Sequence, residues 1–137
     1  MNKLGFLLGS WSLEYRIPTS TFGAAGSDTG TGTFKKALND KYVIFEYTTK
    51  SGSEAKGIFA WDDKTKVYRY WWFENSGSFL TATGNFINDK TLAMNWHDTL
   101  LVQTFQMEEP DKVVLKMQYP SAENKYELVL EVIFTRM

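Results

Sequence analysis

The chain has 137 residues, 43% hydrophobic and 23% charged, which suits a single folded domain with one sizeable core spanning residues 1–137 and argues against disorder. A formal net charge of -1 with no local concentration of Lys or Arg argues against a phosphate-tracking surface, so no nucleic-acid partner is expected. The lack of cysteine excludes disulfides, thiolate metal sites and cysteine nucleophiles. Aromatic residues stand out at 16%, and they favour strands and pocket walls.

At the N-terminus Leu4, Leu7 and Leu8 share a helical face, which predicts one helical turn over Asn2 to Leu8, placed to plug an end of the fold. The apolar stretch is too short for the core of a signal peptide, and no run of roughly 18 apolar residues offers a membrane span, so a cytoplasmic location is expected. Gly9 to Ile17 reads as the first strand. Trp11, Leu13, Tyr15 and Ile17 fall on one face, while Ser12, Glu14 and Arg16 meet water. Pro18 to Asp28, with Gly23 and Gly26, is the longest irregular stretch and is expected to form a flap.

Thr29 to Leu38 predicts a second strand in which Gly30 and Gly32 permit a bend or close backbone approach. Asn39-Asp40 turns the chain into Tyr42 to Thr49, and both faces of that strand carry apolar residues. Ala55 to Trp61 turns at Asp62 to Thr65 into Val67 to Phe73, where adjacent Trp71 and Trp72 must point to opposite faces. One of these two indoles therefore lies on the outer surface or under a loop. In the next strand, Ser78 to about Phe86, the residues Thr81, Thr83 and Asn85 face either water or a wet cavity. Alternation alone leaves the inner faces of 42–49, 67–73 and 78–86 open.

Leu92 to His97 sets Leu92, Met94 and Trp96 against Ala93, Asn95 and His97. Leu101 to Met107 and Val113 to Tyr119 follow, and Tyr126 to Arg136 closes the chain with Tyr126, Leu128, Leu130, Val132 and Phe134 in strict alternation. That last segment reads as strand rather than amphipathic helix. About ten short strands joined by tight turns predict an all-β, antiparallel up-and-down barrel closed by pairing of the first and last strands.

The opening Gly9-Ser10-Trp11 resembles the Gly-x-Trp element of the calycins, the superfamily of lipocalins and fatty-acid-binding proteins. The resemblance implies that Arg136, near the end of the last strand, packs over the Trp11 ring at the closed end, and a planar guanidinium stacks well on indole. Over nearly the whole chain the pattern resembles bacterial lipocalin-like domains related to nitrobindin, with Gly57 to Tyr68 similar to their central hairpin. Nitrobindins hold haem through a histidine in a strand near the C-terminus. The last strands here contain no histidine, so no cofactor is expected.

His97, the one histidine, points away from the apolar face of its strand and lacks partners for a metal site. No nucleophile elbow or phosphate-binding glycine loop occurs, and no catalytic residue is assigned. A barrel this wide is not easily filled by its own side chains, so inward residues should border a void. The expected lining is Tyr15, Tyr47, Trp61, Met94, Trp96, Phe105, Met117, Tyr119 and Tyr126, with Gln103 and tyrosine hydroxyls orienting a polar end. The function that follows is binding of a small, largely apolar ligand, an acyl chain or aromatic metabolite, by a monomeric or homodimeric carrier or sensor. Two alternatives are a cavity enzyme of isomerase or cyclase type using Glu46 or Tyr47 as acid/base, and an interaction protein using the outer indole of Trp71 or Trp72.

Overall fold

The computed structural model describes residues 2–19, 24–122 and 124–137. Alternation and turn chemistry divide the chain into ten strands: β1 (Gly9–Ile17), β2 (Gly26–Ala37), β3 (Tyr42–Thr49), β4 (Glu54–Asp62), β5 (Val67–Glu74), β6 (Phe79–Asn88), β7 (Thr91–Trp96), β8 (Val102–Glu109), β9 (Lys112–Ala122) and β10 (Lys125–Arg136). Each pairs antiparallel with its sequence neighbours, and β1 pairs with β10 to close the barrel, placing Trp11 opposite Arg136. Closure gives every one of these strands a partner on both sides. Residues with positive φ turn the hairpins at one end, notably Leu38, Asn39 and Asp40 between β2 and β3 and Lys66 between β4 and β5.

The N-terminal turn is a 3-10 helix, Asn2–Leu7, that lies across this end. Leu4 and Leu7 are fully buried, and the Leu7 carbonyl accepts a hydrogen bond from Trp11 Nε1 at 2.7 Å. Arg136 stacks its guanidinium 4.1 Å from the centre of the Trp11 ring. Its Nη1 donates to the Leu8 carbonyl at 2.7 Å, its Nη2 to the Pro110 carbonyl at 3.2 Å, and its Nε lies 3.3 Å from the Asp111 carboxylate. Gly9, at φ 120, passes so near that a Cβ there would sit 2.7 Å from Arg136 Nη1.

Pleating sends Val43, Phe45 and Tyr47 inward on β3, Tyr68, Tyr70 and Trp72 on β5, and Leu80, Ala82 and Gly84 on β6. Thr81, Thr83 and Asn85 therefore belong to the outer wall. Trp11, Phe34, Val43, Phe59, Leu92 and Val113 pack the closed half solidly. Stacks of Phe34 on Phe45 (4.2 Å) and Phe59 on Tyr70 (4.0 Å) join that half to the rest.

Two expectations change. The predicted flap is shorter, because β2 begins at Gly26 and residues 26–28 pair with Ile17, Arg16 and Tyr15. Pairing satisfies the backbone groups of residues whose own strand propensity is low. Ser20 to Gly23, the middle of that flap, lie outside the described residues. The strict alternation expected of β10 is also broken, by a register shift between Leu128 and Leu130. Leu130, Val132 and Phe134 face β9's inward Met117, Leu115 and Val113, whereas Leu128 and Tyr126 pair with Gln118 and Pro120 on the other parity. Tyr126 is 57% exposed as a result.

Candidate functional site

The half of the barrel away from the N-terminal turn holds a partly open cavity of about 270 Å³. Glycines explain why space remains there. On β4 the inward Gly57 leaves room for the Tyr70 ring to lie flat along the wall, and a Cβ at Gly57 would overlap the Tyr70 hydroxyl. Gly32 on β2 likewise lies under the Phe45 ring. Aromatics laid along the wall leave the axis open.

One side of the cavity is an aromatic sheet. Phe45 stacks on Tyr47 at 5.7 Å, Tyr47 on Trp72 at 5.6 Å, and Tyr15 leans on Tyr47 at 5.6 Å. Tyr70, Trp96 and Gln103 line it deeper, and Leu80, Leu101, Leu115, Met117, Leu130, Val132 and Phe134 complete an apolar wall. Glu74 is the one charged lining residue among those described; it accepts from Trp72 Nε1 at 2.9 Å and from Ser76 Oγ at 3.2 Å.

The phenols inside are held protonated. Burial, reinforced by Tyr47, pushes the Tyr15 phenol far above its ordinary value, and burial does the same to Tyr70. Tyr47 is also raised, chiefly by burial and with help from the Glu74 and Asp28 carboxylates. Asp28 is held below the usual carboxylate range by the hydroxyl of Ser51. The Tyr15 and Tyr47 hydroxyls lie close enough to influence each other's ionisation. Tyr70 Oη and Trp96 Nε1 are buried with no hydrogen-bond partner among the described residues.

Of the residues expected to line a ligand site, the structure brings together Tyr15, Tyr47, Trp96 and Met117 on the cavity wall. Met94 and Phe105 are fully buried in the packed core and do not reach it. Trp61 stands at the closed end, edge-on to Tyr68 at 4.9 Å. Tyr119 is half-buried on β9 outside the lining, and Tyr126 is turned outward by the irregular β10 register. Sequence reasoning missed Phe45, Tyr70 and Trp72, since apolar residues on both faces of β3 and β5 hid the parity. The signal that finds them is Gly57, whose place on an aromatic-rich hairpin marks the face a large ring must cover.

Glu46 does not reach the interior. It is exposed on the outer wall, 3.8 Å from Lys56 Nζ, in an open concavity of about 570 Å³ lined by Thr, Glu and Lys side chains. The cavity-enzyme alternative thereby loses the carboxylate named as its base. Trp72 is the inner indole and Trp71 the outer one, beside Arg69, Thr81 and His97 in a depression of about 230 Å³. His97 also faces outward, its Nδ1 and Nε2 lying 2.8 and 3.2 Å from the Thr81 and Thr83 hydroxyls. The sole histidine, the residue type by which nitrobindins hold haem, stands on the outer wall.

Fold and site together define a closed ten-stranded antiparallel barrel with an aromatic-walled internal cavity. No family model and no curated protein matches the chain. Solved structures do match over its whole length. The chain is similar to Rv2717c from M. tuberculosis, a crystal structure, with 12% identity, coverage of 99% of this chain and 96% of that one, and a TM-score of 0.69. It is also similar to a de novo designed fluorescence-activating β-barrel, with 15% identity, coverage of 100% of this chain and 99% of that one, and a TM-score of 0.52. At these identities the likeness is one of fold.

Proposed function

We propose that this protein is a binding module that encloses a small, largely apolar ligand within its barrel, as a carrier or sensor of the calycin type related to nitrobindin-like domains. The observation that carries the reading is the partly open cavity of about 270 Å³ whose apolar wall contains a few polar groups. The calycin relation is supported by Gly9, Trp11 and Arg136 meeting at the closed end. Ligand pockets commonly run from about 300 to 1,000 Å³, so the cavity suits one small ring system or a short chain rather than a long acyl tail. Aromatic rings and Met117 supply contact surface of high polarizability. Among the described residues, no lining side chain offers a covalent anchor.

Calorimetric titration with small aromatic and short aliphatic probes tests this, alongside native mass spectrometry of the gently purified protein. One site per chain is expected, blocked in Leu115→Trp or Val132→Phe variants that fill the cavity while keeping a cooperative melt. Absence of binding by every probe to the folded wild-type protein would sink the proposal.

A further inference from the structure

Resting on the binding reading above, we infer that the cavity takes an organic cation, an alkylated ammonium whose apolar body fills the interior and whose charge stays at the rim, and that it rejects carboxylates. The first observation is where the charge of the site stands. Glu74 follows Tyr70 and Trp72 at alternate positions on β5, so pleating turns it inward at the end of the strand, and it is the one charged lining residue among those described. It pairs with Ala55, which pairs in turn with Tyr47, so only a small side chain stands between Glu74 and Tyr47 in that row. Asp28, on the same parity of β2 as Phe34 and paired with Tyr15, brings a second carboxylate close enough to act on Tyr15 and Tyr47. Among the described residues neither carboxylate forms an ion pair. The groups that donate to them are neutral: Trp72 Nε1 and Ser76 Oγ to Glu74, the Thr29 amide and the Ser51 hydroxyl to Asp28.

The second observation is the surface beside that charge. Tyr15, Tyr47 and Trp72 follow one another at centroid distances of 5.6 Å, and all three line the cavity and are half-buried rather than sealed. Aromatic faces carry a negative potential, and several together hold alkylated ammonium ions. The 2.9 Å bond from Trp72 Nε1 ties the indole edge to Glu74, so ring and carboxylate act as one unit. Rings and carboxylates therefore favour the same sign of charge. Among the described residues no Lys, Arg or His lines the cavity, so a carboxylate ligand would lose water with no cation to receive it and would meet Glu74 at the rim. A bare metal ion finds no group of three ligating side chains among the described residues, and a neutral ligand draws on the apolar wall alone. An alkylated ammonium uses wall, rings and carboxylate together.

Four probes on one frame separate these classes: phenethyltrimethylammonium, phenethylammonium, phenethyl alcohol and phenylacetate, titrated calorimetrically against the full chain at low and high salt. The trimethylammonium ion is expected to bind about tenfold more tightly than the alcohol, and phenylacetate at least about tenfold more weakly than the alcohol. Phenethylammonium, whose charge is more strongly hydrated, falls between the trimethylammonium ion and the alcohol. Glu74 is exposed at the rim, so its share is modest. Glu74→Gln, which keeps an acceptor for Trp72 Nε1 and is verified by an unaltered cooperative melt, should cut the ratio of trimethylammonium to alcohol affinity by about threefold, and raised salt should cut it in the wild-type protein. The alcohol binding as tightly as both ammonium ions, phenylacetate binding as tightly as either, or a ratio untouched by both Glu74→Gln and salt would each overturn the inference with the cavity itself still occupied. Failure of all four probes would instead remove the binding reading on which it rests.

Discussion

Arg136 gathers a stacked indole, several backbone carbonyls and a carboxylate around one guanidinium. Its planar fork serves all of them at once, which an ammonium cannot do. Arg136→Ala should therefore lower stability by about 2 kcal/mol, or roughly 8 °C in Tm, through lost cation–π contact and charge-assisted hydrogen bonds. Arg136→Lys should recover little of it. Thermal melts check both, and ligand affinity should stay unchanged because the residue sits at the far end from the cavity. An unaltered melt for Arg136→Ala would remove its assigned role. This pairing was legible in the residues Gly9, Trp11 and Arg136, since a short motif and a terminal arginine carry it. The cavity wall was less so: Tyr15 and Trp96 stand out on cleanly alternating strands, whereas Tyr70 and Trp72 sit on one with apolar residues on both sides.

At the scale of elements, β4 and β5 form the hairpin on which the site depends. Gly57 on β4 faces Trp72 across the pair, and the Tyr70 ring covers it. Gly57→Ala should cost about 1–3 kcal/mol by overpacking and push Tyr70 toward the axis, shrinking the cavity. Because the clash is with one side chain, Gly57→Ala combined with Tyr70→Leu should be less destabilised than the sum of the two single changes. A double-mutant cycle by urea denaturation measures that coupling, and strict additivity would show that the two residues do not touch. β10 carries the opposite lesson. Its residues alternate perfectly on paper, yet the shift between Leu128 and Leu130 moves Tyr126 and Leu128 off the inner face. Nothing local announces an extra residue in a strand; the partner strand β9 imposes it by its own inward Met117 and Leu115.

For the whole molecule, the interior holds phenols at a neutral charge. Tyr15, Tyr47, Tyr68 and Tyr70 are all raised, burial being the leading cause in each. In the unfolded chain they ionise near the ordinary value of about 10, so above that pH the unfolded state has released protons that the folded state still holds. Their contribution is fully present below about pH 10 and is lost as pH rises through the folded values. Urea midpoints measured from neutral to strongly alkaline pH should fall steeply above about 10, and the fall should be shallower in Tyr15→Phe. A slope unchanged by that substitution would show that the Tyr15 phenol is not buried when folded.

What the amino-acid order determined by itself was the class of architecture: clear alternation in most segments, glycine- and asparagine-rich turns, and a terminal Arg that matches an initial Trp. These are local or nearly local signals, and pleat period and turn chemistry read them directly. Only the tertiary structure decided which face of β3, β5 and β6 is inside, that Glu46 and His97 stand on the outer wall, and that Phe45, Tyr70 and Trp72 wall a cavity. The reason is closure. Strands with apolar residues on both sides take their inward face from the register of their neighbours around the ring, and a void exists only where rings from different strands lie along the wall rather than across the axis.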